Sequence, residues 1–174
     1  MGWEKGTYSM KMNCLIAAFA LALSAGASVA QNAVVSRPAL TASGAKALAG
    51  ACFAWARKAR PDRDIAVAVV DAGGALMYYE RTDGATAQTG AYALGKAETA
   101  RQTGSLSGAD MDRLTKNPPD LQVLTFNRLG LQGGVAIRAG DKTLLGAIGV
   151  SGMASAEDEL CGETAIEKVV GSAS

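Results

Sequence analysis

The sequence predicts an α/β domain of the α+β type, with helices packed on an antiparallel sheet. Two hairpin signatures and two helical faces predict it. Ile65–Val70 and Ala75–Arg81 are strand-like runs joined by Asp71-Ala72-Gly73-Gly74, and Val135–Ile137 and Leu144–Val150 are joined by Ala139-Gly140-Asp141-Lys142. Glycine tolerates positive φ and aspartate bonds its own backbone, so both connections are turns. Leu48, Cys52, Trp55 and Ala59 repeat at helical spacing, as do Cys161, Ala165 and Val169. A length of 174 residues suits one domain with a sound core.

Residues 1–30 read as a secretory signal peptide. Lys11 precedes an apolar run, Leu15 to Leu23, and Ser28 and Ala30 supply the small residues of a cleavage site after Ala30. Met10 or Met12 is an equally good start. The run falls short of the ~20 residues a spanning helix needs, so no stable membrane anchor is expected. The expected location is periplasmic or secreted. Cleavage removes Cys14 and leaves Cys52 and Cys161 where disulfides form. Two readings stay open for this pair. A bridge would close a loop of about 110 residues and contribute ~4–5 kcal/mol if unstrained; alternatively both are small buried hydrophobes.

Charge and composition exclude several functions. The chain has 17 basic and 16 acidic residues and no basic stripe, which argues against nucleic acid as a partner. It has no histidine. That removes Ser-His-Asp and Cys-His nucleophile systems, the usual general base and most zinc sites. Neither H-E-x-x-H, C-x-x-C, a Walker loop nor G-x-S-x-G occurs, and GAIGVSG lacks the spacing of a dinucleotide-binding turn.

After a leader at 31–39, a single domain spans 40–170, and 171–174 form a tail. Thr41 is placed to cap the first helix, which ends in Arg57, Lys58 and Arg60, charges suited to its negative pole. Ile65–Val70 is a continuous apolar run, as a buried strand requires. In the returning strand Tyr78 and Tyr79 point to opposite sides, so one faces away from the core. Thr86 or Thr89 opens a helix running to about Gln102, with a long face of Gly and Ala. Gly90 and Gly95 each cost a helix ~1 kcal/mol relative to Ala, and close approach by the sheet, a partner subunit or a flat ligand would offset it. Lys96 and Glu98 on this helix are the catalytic candidates, Lys96 as a base if buried. Residues 103–119 are polar and glycine-rich, a connection or short helix of the kind that forms lids. Leu121, Leu124 and Phe126 suggest one or two helical turns. Gly146, Gly149 and Gly152 thin the last strand, which marks a bulge or a close approach. Ser155 with Asp158 forms a capping box, and Glu157, Asp158 and Glu159 suit the helix start.

Two separated stretches carry a resemblance. DAGGALMYYERTDGA followed by a helix with GKAETA, and GGVAI, a turn and LLGAIGVSG before an acidic helix, resemble the GlcG/HbpS family, which is related to the PduO C-terminal domain. The likeness covers about Leu40 to Lys168. The family usually has proline where this chain has Ala136. The resemblance implies a GlcG/HbpS-like fold with profilin-like layering and about five antiparallel strands. It also implies homo-oligomers and a haem or related tetrapyrrole ligand.

The expected function is therefore an exported haem- or tetrapyrrole-binding protein that buffers, senses or assists degradation. Two alternatives stand beside it. One is binding or conversion of a small organic acid or aromatic metabolite, with Arg81, Asp83, Lys96 and Glu98 as polar groups of the pocket. The other is a structural oligomer with no ligand. Without histidine, an iron would take Tyr, Met, Cys, Lys, a hydroxyl or water. Tyr78, Tyr79, Met111 and Met153 are candidates; the resemblance also implies a threonine ligand, for which Thr86, Thr99 and Thr115 all stay open. The expected ligand-binding residues are Tyr78, Arg81, Asp83, Lys96, Thr99, Met111, Gly149 and Met153. A hollow beside Gly95 or Gly149 is the structural feature that binding requires.

Overall fold

The computed structural model describes residues 36–116 and 128–171. The expected signal peptide, Cys14, the helical turns expected at Leu121–Phe126 and the last three residues lie outside the described residues. Helix α1 spans Ala42–Ala59. Strands β1 (Ala66–Asp71) and β2 (Leu76–Arg81) follow. Helices α2 (Ala87–Thr103) and α3 (Ser107–Lys116) precede strands β3 (Gly134–Arg138) and β4 (Leu144–Ser151). Helix α4 (Ser155–Val169) closes the domain.

The sheet order is β2-β1-β4-β3, and every neighbouring pair is antiparallel. Among the described residues there are four strands, where the family resemblance implied about five. The two hairpins account for all of them, and the chain between them forms α2, α3 and an irregular segment at 128–133.

Strand alternation splits the sheet into two unlike faces. Val67, Val69, Val135, Ile137, Ile148 and Val150 point to one face and pack with Leu48, Cys52 and Phe53 of α1 and Cys161 and Ala165 of α4. A disulfide joins Cys52 to Cys161, with 5.1 Å between their Cα atoms. The opposite face presents Ala66, Ala68, Val70 and Ala147, against which Ala93, Ala97 and Ala100 of α2 lie. Here α2 touches the sheet backbone itself. A β-carbon at Gly149 would overlap the Ala93 carbonyl and the Ala97 amide.

The ends of the helices follow local chemistry. The Thr41 hydroxyl accepts from the Gly44 amide at 3.0 Å, and that of Thr86 from the Thr89 amide at 3.1 Å. Helix α2 stops at Gly104, whose φ of +65° suits glycine. Helix α4 starts differently from the expected Ser155–Asp158 box. Ala154 is its N-cap, and the Glu157 carboxylate accepts from the Ala154 amide at 3.1 Å. Asp158 turns inward instead, because a buried lysine awaits it. Residues 107–116, read as a connection or short helix within a loop, form α3, whose single large buried apolar side chain is Leu114.

Candidate functional site

The outer side of α2 carries a cavity of about 430 Å³. Its walls are Ala91, Leu94, Gly95 and Leu129, and its polar groups come from Tyr92, Glu98 and Arg128. The spacing explains it. With 93, 97 and 100 pressed on the sheet, positions 91, 94, 95 and 98 turn outward, one above another on a 3.6-residue period. Gly95 keeps the floor low, since a β-carbon there would meet Leu129 at 3.2 Å. Beside it the Thr99 hydroxyl donates to the Gly95 carbonyl at 2.8 Å and accepts from the Leu129 amide at 2.6 Å, which ties the 128–129 segment to the helix.

The polar groups of this cavity are held in place. Glu98 is paired with Arg101 at 2.8 Å. Arg128 donates through Nε to Gln102 Oε1 at 3.0 Å and reaches Asp110 Oδ2 at 3.5 Å. The Tyr92 hydroxyl accepts from Gln88 Nε2 at 2.6 Å. A volume within the ~300–1,000 Å³ usual for small-molecule sites, mostly apolar walls and a few placed polar groups make this a binding cavity in form.

The expected site residues separate into groups. Glu98 lies in this cavity. Lys96 does not. It is 3% exposed and donates to Asp158 Oδ2 and the Val150 carbonyl, both at 2.9 Å, while Asp158 is 2% exposed and also accepts from the Met153 amide at 3.1 Å. Burial pushes the Asp158 carboxyl above its ordinary value, against the pull of Lys96. This pair pins α2 to the start of α4, with Lys96 turned to the side of the helix away from the cavity lining. Thr99 is buried and engaged as described. Gly149 is covered by the α2 backbone, so the approach it permits is by helix and not by ligand. Met111 lines a different cavity near α3. Met153 packs against the α1–α4 core.

Tyr78 lies on the α1 side of the sheet and donates to Glu80 Oε2 at 2.6 Å. That bond to a carboxylate holds its phenol above the usual value, which disfavours the phenolate an iron would need. Tyr79 extends over Gly90, where a β-carbon would overlap its hydroxyl. Arg81 donates to the Ala85 carbonyl, and Asp83 is exposed on the same loop. None of these four reaches the α2 cavity.

Tyr92, Arg128 and Leu129 were not legible as site residues. Tyr92 and Leu94 stand among the alanines of α2, and their position opposite Ala93 and Ala97 was the available signal. Arg128 and Leu129 come from a segment with no periodicity, so only the tertiary structure brings them to the cavity. Among the described residues, no group of three or more His, Cys, Asp or Glu side chains can hold a metal ion.

Fold and cavity together describe an α/β domain with a cavity of small-molecule size. Residues 40–167 match the family described as haem-degrading protein, HbpS-like, and the chain belongs to that family. Its fold is similar to a crystal structure of HbpS, at 29% identity and a TM-score of 0.70 over 80% of this chain and 95% of that one. A double mutant of Streptomyces reticuli HbpS is similar at 28% identity and TM-score 0.69, covering 78% and 90%. A PduOC–haem complex is similar at 25% identity and TM-score 0.66, covering 74% and 94%. A search of curated proteins found no match.

Proposed function

We propose that this protein binds haem or a related tetrapyrrole in the cavity on the outer face of α2. The observation that carries the proposal is that cavity: apolar walls, a glycine floor, a phenol and a guanidinium, in a chain of the HbpS-like family. A flat macrocycle with carboxylate arms needs those groups, so the residues fit it. Ala91, Leu94 and Leu129 would exclude water from a ring face. The Arg128 fork would pair with a propionate, as guanidinium groups pair with carboxylates. Tyr92 would offer an oxygen donor in a chain without imidazole. Haem bound there would supply an iron able to take a small ligand or an electron. Weak axial ligation suits exchangeable binding, hence buffering or sensing in an exported protein, better than electron transfer.

The family's solved haem complex supports the ligand class, and exposed Tyr79, Tyr92, Leu94, Leu131 and Leu160 support a homo-oligomer. The test is a haemin titration of residues 31–174 followed by absorption. A saturable, shifted Soret band is expected, with Tyr92→Phe altering its position and Arg128→Ala weakening binding about tenfold, the value of one good charged contact. A spectrum equal to the sum of free haemin and protein overturns the proposal. A melting temperature raised by a small aromatic acid but not by haemin would favour the metabolite reading instead.

A further inference from the structure

A second cavity, of about 470 Å³, lies between the starts of α3 and α4 and the 130–132 segment. It is separate from the α2 cavity and shares no lining residue with it. Leu106, Met111 and Leu131 give it apolar walls, and Leu131 is exposed at 40%. Its charged lining residues are Asp112 and Glu159, and no Lys or Arg lines it among the described residues. Glu159 is unusual. Its Oε2 is shielded from solvent and has no hydrogen-bond partner.

A buried acceptor without a donor is costly, because its hydration has been lost and nothing replaces it. The neighbouring carboxylates are already engaged. Asp158 is bonded to Lys96, and Glu157 to Arg60 at 2.7 Å. Glu159 is the acid of this run that lines the cavity; it is half-buried and, among the described residues, makes no salt bridge.

We propose that this cavity is a binding site for a small organic cation, a primary ammonium with an apolar tail. The ammonium would donate to Glu159, and the tail would lie along Leu106, Met111 and Leu131. Part of the carboxylate's desolvation, at the shielded oxygen, is already incurred in the free protein, so a charged donor recovers more there than at a fully exposed acid. An anion would meet two carboxylates and no Lys or Arg, and a neutral ligand would gain the apolar walls and the polar groups of Gln132 and Ser155 but no charge pairing.

The experiment is calorimetric titration of residues 31–174 with hexylamine, hexanoate and hexanol, which share a tail and differ in the head group. Hexylammonium is expected to bind at least tenfold tighter than the other two at neutral pH. Glu159→Gln should bring it down to the level of hexanol. A second measurement needs no variant. Burial and Glu163 raise the Glu159 carboxyl, with the Gly133 amide and Lys96 pulling it back. Hexylammonium binding should therefore weaken as acidification protonates Glu159, with Asp112 the other acid lining the cavity, while hexanol binding stays flat. Equal binding of the three probes, no binding of hexylamine, or an ammonium preference that survives both Glu159→Gln and low pH overturns the proposal. Haemin titration is indifferent to all these outcomes, so the two sites are tested apart.

Discussion

The two faces of the sheet solve the same problem in opposite ways. Toward α1 and α4 the strands present Val67, Val69, Ile148 and Val150, and large side chains fill a thick layer closed by Cys52–Cys161. Toward α2 they present Ala66, Ala68, Ala147 and Gly149, and the helix backbone rests on the sheet. The thick face resembles an ordinary core, where stability scales with buried apolar area. The thin face buries little side chain per residue. Its strength comes from contact between main chains and from the buried Lys96–Asp158 pair that locks α2 in place. An ion pair of that kind is worth little against a hydrophobic replacement but costs ~3–5 kcal/mol when one partner is lost. The difference teaches how a helix can offer its outer side to a ligand. Drawing α2 close to the sheet with small residues leaves its own large side chains, Tyr92 and Leu94, to line a cavity.

Adding one methyl group to the thin face tests this contrast hardest. Gly149→Ala would drive a β-carbon into the backbone of α2, where no side chain can move aside. The expected loss exceeds the ~1–3 kcal/mol of ordinary overpacking, read as a lower urea midpoint. A Gly149→Ala protein with an unchanged midpoint would mean that α2 does not sit on the sheet as described.

On the thick face, the double change Cys52→Ala with Cys161→Ala should cost ~2–5 kcal/mol, since the bridge closes a long loop of the unfolded chain. In residues 31–174, which lack Cys14, alkylation should raise the intact mass only after reduction. Labelling without reductant would show two free thiols and leave packing alone to hold this face.

The smallest effect sharpens the join between α1 and α4. Arg60 bonds both oxygens of Glu157, at 2.7 and 3.0 Å, and this holds the Glu157 carboxyl below its ordinary value. A depressed folded value stabilises above the unfolded value of ~4.3 and loses that contribution as pH falls through the folded one. Glu157→Gln should lower the melting temperature slightly at neutral pH, and the gap to wild type should close on acidification. A gap that persists in strong acid would show that the carboxylate's charge is not what matters.

Much of the architecture was legible beforehand. The hairpin turns, the Thr41 cap, a cap at Thr86 or Thr89 and the continuous apolar run of β1 are local signals, and local signals survive folding. The candidate site was less so. Glu98 and Gly95 lie in the α2 cavity, whereas nothing nearby in sequence announces Asp158, 62 residues away, as the partner of Lys96. Tyr78 and Gly149 lie outside that cavity for a related reason. Alternation says that a side chain points to one face or the other, not which face a helix will cover.

The amino-acid order by itself determined which stretches form the two hairpins and the main helices, how the hairpins turn, that the chain carries no imidazole and that it resembles the HbpS-like family. Those properties depend on neighbours within a few positions or on composition. Only the tertiary structure decided which glycines are pressed against backbone and which border a hollow, that Lys96 is consumed by Asp158, and that Glu159 keeps an oxygen without a donor. Each of these depends on the distance between segments far apart in the chain, and that distance is set by how the whole sheet and its helices pack.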